Sequence, residues 1–483
     1  MRYKNQYLIS DSEVENFPLN EYGFKKVLFK DYFIYHSQSL PITIEESNDI
    51  KLLLLGFIFN PLSPQADNNE ILKEILKKAY TKEDLFKEFD RLTGRYVIFV
   101  ILKNEHIAFS DCCAQRQLFF FSGNTNVFTS SPPLALNILG IQPHIPASTA
   151  TLLCNREYIS KGSPWFGNTW YDERFNKVLP NHYLNTKYLK TYRIPFEEDY
   201  EELGDLNMIL QYAIETLQGS LSASNYRYSP HIPVTAGIDS RLIVAASKSI
   251  HKVSQYYLFA RSESETKNED SVIAKRLAEK LNFQFKVHRT TKPSEEFLKR
   301  IQQDYLFPRQ HNSIIENIYF HFLNNEGNII NLSGSCGEII RSYYGSDIDI
   351  RNKLLNISGN DGFFHSSILK WLDAIDPKSL PVSVGDLFYW EQRMGNWGAQ
   401  YPYEQDIAIE QFSPFNHKKL ILLLYSVPEK LKRQFLLEIS EEMWPGSSGI
   451  PINPIFGLSP KKRLANLIRN NDMLYKLYLK FKQ

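Results

Sequence analysis

Up to about residue 191, apolar positions come in short runs of strand length, separated by turn residues. Lys25–Phe29, Tyr32–His36, Lys51–Phe59, Arg95–Leu102, His106–Ser110, Leu118–Ser122 and Val127–Thr129 are rich in β-branched and aromatic residues and predict strands. Helical periodicity interrupts them. In Asn68–Ala79, Ile71, Ile75 and Leu76 share one face, and Lys82–Leu92 carries Leu85, Phe86 and Phe89 in the same way. Strands flanking such helices predict an α+β sandwich of sheets over residues 1–192. Tyr192–Asp205, with Pro195 and an acidic cluster that includes Glu197, Asp199 and Glu202, reads as a linker.

Beyond residue 200 the rhythm changes. Leu206–Leu221 is an amphipathic helix with Leu206, Ile209, Leu210, Ile214 and Leu217 on one side. Apolar strands at Ile232–Val234, Val253–Phe259, Phe283–His288 and Asn328–Leu332 then alternate with helices at Asp239–Ser249 and Glu269–Leu281. That alternation predicts a doubly wound parallel sheet over residues 200–483, with a ligand at the C-terminal strand ends. The remainder reads as helical. The expected fold is a two-domain α/β chain.

Composition narrows the classes. With 483 residues, 43% hydrophobic and 14% aromatic, the chain is long and apolar enough to fold around a sizeable core. Its net charge of +1 gives no global field for nucleic acid, and no nucleic-acid partner is expected. No run approaches the roughly 18 apolar residues of a membrane span. The start, Met1-Arg2-Tyr3-Lys4-Asn5, is not followed by an apolar signal-peptide core, and the four cysteines (Cys112, Cys113, Cys154, Cys336) have no framework spacing. A cytoplasmic location is the expectation.

Candidate chemistry concentrates in Ile232–Ala246, IPVTAGIDSRLIVAA. A short strand enters the turn Val234-Thr235-Ala236-Gly237-Ile238-Asp239-Ser240-Arg241 and leaves as a helix. Backbone N–H groups at such a turn converge, and the helix dipole adds positive potential. Thr235 and Ser240 supply hydroxyls, Gly237 admits close approach, and Asp239 is suited to hold Mg2+ against a polyphosphate. The Gly-Lys-Ser/Thr ending of a Walker loop is missing, so no lysine is aimed at the terminal phosphates. An ordinary helix cap at Asp239-Ser240 is the competing reading.

The order Thr-x-Gly-x-Asp-Ser resembles the pyrophosphate loop of the asparagine-synthetase family, the N-type (PP-loop) ATP pyrophosphatases, which usually reads Ser-Gly-Gly-x-Asp-Ser. Here Thr235 and Ala236 replace its first two residues. The resemblance continues in order through nearly the whole chain. Leu53–Pro61, Leu92-Thr93-Gly94-Arg95-Tyr96, Asp111–Phe121, Ser130-Ser131-Pro132 and Val178–Leu184 are similar to successive segments of the family's Ntn-type glutaminase domain. Such a glutaminase uses an N-terminal cysteine whose own α-amine is the base. Position 2 is Arg2, and Leu55 stands where the oxyanion-hole Asn is expected. The resemblance therefore implies a scaffold that does not hydrolyse glutamine.

In the second half, Ser333-Gly334-Ser335-Cys336-Gly337-Glu338 resembles the family's Ser-Gly-Asp-Gly-x-Asp-Glu turn, one residue shorter and without its aspartates. Glu410–His417 resembles Glu-x-Arg-x-Pro-Phe-Leu-Asp-His and retains Glu410, Pro414, Phe415 and His417. The family's Arg-x-Lys-x-x-Phe segment corresponds to Ile450–Phe456, which has no lysine; Lys461, Lys462 and Arg463 follow. The resemblance implies ATP contacts from Val234 through Arg241 and from Phe259 and Gly334. It implies Mg2+ on Asp239 and Glu338, and catalytic roles for Glu410, Lys461 and Glu338. Asp270 matches an acid that opens the family's next helix.

What this implies is an ATP-dependent amide-forming ligase. It would adenylate a carboxylate, release pyrophosphate, and couple the acyl group to an amine not made by its own glutaminase. The carboxylate and amine belong to small-molecule, saccharide or peptide substrates. An intramolecular cyclase, resembling β-lactam or lasso-peptide macrolactam synthetases, and a nucleotide-binding pseudoenzyme are the alternatives. The tail Lys461–Lys482 carries seven Lys/Arg against Asp472 along an apolar face. Such a helix either caps its own domain or makes weak contact with a membrane surface. An oligomer is compatible with all of this.

Overall fold

The computed structural model describes residues 2–453 except 48, 124, 156–157, 160–162, 197–199, 261–267, 307–319, 324–326, 345–348, 358–361 and 378–379. Lys461 and the basic tail lie outside the described residues.

The first half is built on strands β1 (Tyr7–Ser10), β2 (Phe24–Phe29), β3 (Tyr32–Ser37), β4 (Ile42–Glu46), β5 (Ile50–Phe59) and β6 (Thr93–Leu102). It continues with β7 (His106–Ser110), β8 (Phe119–Ser122), β9 (Asn126–Thr129), β10 (Asn176–Lys177), β11 (His182–Asn185) and β12 (Lys190–Arg193). They form two six-stranded antiparallel sheets, ordered β10-β8-β9-β1-β3-β2 and β12-β11-β7-β6-β5-β4. The long pair β5–β6 sets the second sheet, in register from Ile50↔Leu102 to Phe59↔Thr93.

Both faces of each sheet are covered, which explains why these strands read as near-continuous apolar runs. Tyr7, Ile9 and Ile34 of one sheet pack on Leu53, Leu55, Val97 and Phe99 of the other. The reverse face of the second sheet holds Ile71, Leu72 and Ile75 of the helix Asn68–Lys78, and Leu85, Phe86 and Phe89 of the helix Lys82–Phe89. Both helices start with a reciprocal capping box, Asp67 with Glu70 and Thr81 with Asp84. Leu134, Ala135 and Leu136 cover the outer face of the first sheet. The layers are helix, sheet, sheet, helix.

The second half carries β13 (Ser229–Pro233), β14 (Gln255–Ala260), β15 (Phe285–Arg289), β16 (Ile329–Leu332) and β17 (Glu410–Phe412). All neighbouring pairs are parallel, in the order β15-β14-β13-β16-β17. The helix before β13 runs from Leu206 to Arg227, past the expected end at Leu221, with Asp205 as its cap. Two helices, Ile238–Ala246 and Glu269–Leu281, follow β13 and β14.

One expectation is corrected here. The stretch after residue 388 is not wholly helical, because Glu410–Phe412 is a buried edge strand paired with Ile330–Leu332. Three residues are too few to show a period of two. Tyr389–Gly398, which reads as an ordinary helix, is wound as a π-helix.

Candidate functional site

Numbering the parallel strands in chain order gives 3-2-1-4-5, so the winding reverses between β13 and β16. The turns leaving the carboxyl ends of these two strands lie side by side, and a crevice at that place is where doubly wound sheets take ligands. They touch at Gly334: a Cβ built there would stand 2.8 Å from the Asp239 carbonyl carbon and 2.9 Å from the Asp239 Cβ. At Gly337 a Cβ would meet Asp239 Oδ1 at 3.0 Å. Two glycines let the second turn lie directly on the first.

The first turn is held by its own side chains. The Thr235 N–H donates to Ser240 Oγ (2.8 Å), whose hydroxyl donates to the Pro233 carbonyl (3.3 Å). The Gly237 N–H donates to Thr235 Oγ1 (3.3 Å), and the Ala236 N–H to Asp270 Oδ1 (2.7 Å). Asp270 thus reaches across from the first turn of Glu269–Leu281 to lock the loop. Among the described residues no side chain caps the helix Ile238–Ala246, whose N-cap is Gly237. The first N–H groups of that helix are the open donors of the turn.

The second turn is fastened from two sides. Ser413 donates to the Ser335 carbonyl, and Gln411 Nε2 to Ser335 Oγ at 3.2 Å. Gln115 from the sandwich reaches Cys336 Sγ at 2.9 Å. Cys336 itself takes a left-handed conformation (φ 69°) that starts the short helix Gly337–Arg341. This helix presents Glu338 and Arg341 to Asp239. Arg341 Nη2 donates to Asp239 Oδ2 at 2.8 Å, while Asp239 Oδ1 is buried without a hydrogen-bond partner.

Burial pushes the Asp239 carboxyl up to about 7; Arg341 opposes the rise and Glu338 adds to it. Burial also raises Glu338, against Arg341 and Arg393. The guanidinium of Arg393, on the π-helix, lies 4.7 Å from the Trp397 ring centre and 5.7 Å from that of Tyr343. The site is therefore an alternation of two carboxylates and two arginines around an uncapped helix end.

An orphaned carboxylate oxygen beside a second acid fits a divalent cation of the Mg2+ type, which uses one or two carboxylates plus phosphate oxygens. Among the described residues no group of three or more His, Cys, Asp or Glu is placed to hold a metal alone. Such a cation would need a phosphate ligand as partner.

Several expected site residues lie elsewhere. Val234, Ala236 and Ile238 are buried in the core beneath the turn and offer it backbone only. Arg241 is fully buried and turned away from the turn; its guanidinium donates to the Ile450 and Pro451 carbonyls. With the Asn453 N–H on the Ala236 carbonyl (3.0 Å), it ties the segment after residue 449 to the loop. The Phe259 ring packs in a separate cluster with Tyr257, His288 and Phe322, so only its backbone is left to face a nucleotide.

Glu410 is committed to the join between sandwich and parallel sheet. It accepts from both Arg95 and Arg116, and Arg95 Nη2 also donates to Asp406 Oδ2 at 2.7 Å. All four side chains are buried, and the two guanidiniums hold Glu410 below its ordinary pKa. This carboxylate is a structural member of an ion cluster, not a group facing the two turns. Its retained neighbour His417 caps the helix Lys418–Ser426 through Nδ1, which accepts from the Leu420 N–H at 3.2 Å. Arg341, Arg393 and Gln115 went unnoticed in the sequence, since only the folded turns bring them together.

No protein-family model matches the chain, and no curated protein matches it. Among solved structures, the likenesses include an allosteric regulatory enzyme of purine biosynthesis (14% identity, 48% of this chain, 54% of that one, TM-score 0.25). Another is the glutamine phosphoribosylpyrophosphate amidotransferase of B. subtilis complexed with ADP and GMP (12% identity, 69% and 70% covered, TM-score 0.24). A third is the glutamine-dependent NAD+ synthetase of Acinetobacter baumannii in complex with ADP (10% identity, 56% and 67% covered, TM-score 0.21). The chain spans about half the length of the first of these. Superpositions at this level do not align residues, so function has to be read from this chain's own site.

Proposed function

We propose that the chain is an ATP-dependent ligase of the asparagine-synthetase type, with residues 1–192 a glutaminase-like scaffold and residues 200–483 the synthetase domain. The observation that supports this most is the pairing, at the strand reversal, of an uncapped helix N-terminus with the orphaned Asp239 oxygen and Glu338. In this reading the helix N–H groups and the hydroxyls of Thr235 and Ser240 receive the pyrophosphate portion of ATP. Asp239 and Glu338 would hold Mg2+, which when bound screens phosphate charge. The carboxylate oxygen of the substrate attacks the α-phosphorus and pyrophosphate leaves; an amine then attacks the acyl carbon and AMP leaves.

Arg341 has a defined part. It neutralises Asp239 when no cation is held and is free to turn to a phosphate or carboxylate once Asp239 engages the metal. In this reading the amine comes from free ammonia, a second substrate or the same molecule. Lys461 is kept as the candidate for the transition-state lysine.

A second reading, nucleotide binding without turnover, is favoured by the commitment of Glu410 to the buried ion cluster. Product analysis separates the two. Purified protein, ATP and Mg2+ are incubated with pooled small-molecule extract from the source cells. Formation of AMP and pyrophosphate, lost in Asp239→Ala, supports the ligase; ADP as product refutes it, and bound but unconsumed ATP selects the second reading.

A further inference from the structure

The turn at residues 333–338 is gripped from two directions. Gly334 and Gly337 lie on Asp239, where an added Cβ would stand 2.8 and 3.0 Å from atoms of that residue. Ser335 and Cys336, between them, meet two buried glutamine amides instead. Gln115, in the loop after β7, donates from Nε2 to Cys336 Sγ at 2.9 Å and to Ser335 Oγ at 3.4 Å. Gln411 of β17 donates from Nε2 to Ser335 Oγ at 3.2 Å. One amide comes from the sandwich and the other from the parallel sheet.

Neither amide is placed for its own satisfaction. Both side chains are completely buried, and Oε1 of each has no hydrogen-bond partner among the described residues. A buried acceptor left unpaired costs stability, and an apolar side chain of the same shape avoids that cost. What the two glutamines supply is a pair of donors aimed at one turn. The turn needs them: Cys336 holds a left-handed backbone (φ 69°), which a residue other than glycine keeps only where its surroundings impose it. Gln115 is itself fixed, its N–H donating to Asp111 Oδ1 (2.8 Å) and its carbonyl accepting from Arg95 Nε (3.0 Å). From Cys336 the chain runs directly into Gly337–Arg341, which carries Glu338 and Arg341 to Asp239.

We infer that Gln115 and Gln411 are positioning residues, holding the second turn in the conformation that sets Glu338 beside Asp239, an inference that rests on the nucleotide reading of the two turns. Both act through Ser335 and Cys336. Through Gln115 the sandwich becomes part of the site.

The test uses the full chain and a non-hydrolysable ATP analogue, titrated calorimetrically in Mg2+ and again in EDTA, beside urea unfolding. Met has about the length of Gln without its donor or its orphaned oxygen. Gln115→Met and Gln411→Met are therefore expected to unfold at the parental urea concentration or above it. Their affinity in Mg2+ is expected to fall about tenfold, because a displaced Glu338 loosens the cation. Affinity in EDTA, set by the helix N–H groups, stays at the parental value. The two variants lie in different halves of the chain, so if one fails to fold the other decides. A parent without Mg2+-dependent binding overturns the nucleotide reading itself. A parent whose Mg2+ dependence survives in the variants overturns the inference alone, as does a loss of affinity that is equal in Mg2+ and EDTA.

Discussion

Gly334→Ala adds a single methyl group at the point where the two turns meet. Its Cβ would lie 2.8 Å from the Asp239 carbonyl carbon, 2.9 Å from the Asp239 Cβ and 3.0 Å from the Ser240 nitrogen. These atoms belong to the start of a helix, so no side-chain rotation relieves the contact. Restoring an ordinary carbon contact of about 3.5 Å moves the turns apart by roughly 0.5–0.7 Å. Overpacking of that kind costs about 1–3 kcal/mol of stability. It also displaces Asp239 beyond the roughly 0.5 Å tolerance of a preorganised site, so affinity for Mg-ATP falls about ten- to a hundredfold. Urea unfolding measures the first effect and calorimetric titration with a non-hydrolysable ATP analogue and Mg2+ the second. Gly362→Ala is the control, since a Cβ there meets nothing within 4 Å. Loss of stability in Gly334→Ala with the parental nucleotide affinity would refute the claim that both turns form one site.

Other substitutions separate the roles of the remaining groups. Glu410→Gln leaves Arg95 and Arg116 facing Asp406 alone, and removing one partner of such buried pairs costs about 3–5 kcal/mol in denaturant unfolding, with nucleotide affinity unchanged in the folded protein. Asp239→Asn keeps the shape and leaves Arg341 without its partner; unfolding shifts little, while Mg-ATP binding weakens about tenfold or more in the same titration. His417 is neutral in the fold, its pKa pushed down to about 3 by burial. The stability it contributes is therefore complete above the unfolded value of about 6.5 and is lost as pH falls towards the folded one, about 2.5 kcal/mol between about pH 7.5 and about pH 4.5. His417→Asn, which keeps a capping oxygen, flattens that part of the profile in unfolding measured across pH.

Much of the architecture was legible because burial on both faces writes itself into composition. The runs Lys51–Phe59 and Arg95–Leu102 have no polar alternation to confuse them, and strand and turn at Ile232–Asp239 announce a strand of a parallel sheet. Two short strands were not legible: Tyr7–Ser10, which lies between β3 and β9, and the edge strand Glu410–Phe412 owe their form to partners far along the chain. The site divides in the same way. Thr235, Asp239 and Ser240 are local, so their spacing carries the geometry. Arg341 and Arg393 lie in different helices, and nothing in sequence distance tells that both surround Glu338. Arg241 and Glu410 sit inside motif-like stretches yet face inward, since side-chain direction depends on what each element packs against.

The central claim is that a carboxylate is activated by adenylation at the Asp239 turn. Exchange of radiolabelled pyrophosphate into ATP tests this without the amine. Protein, ATP, Mg2+ and the anionic fraction of a source-cell extract are predicted to incorporate label, and Asp239→Ala to abolish it. Consumption of ATP with no exchange under any fraction, or exchange undiminished in Asp239→Ala, would contradict the account.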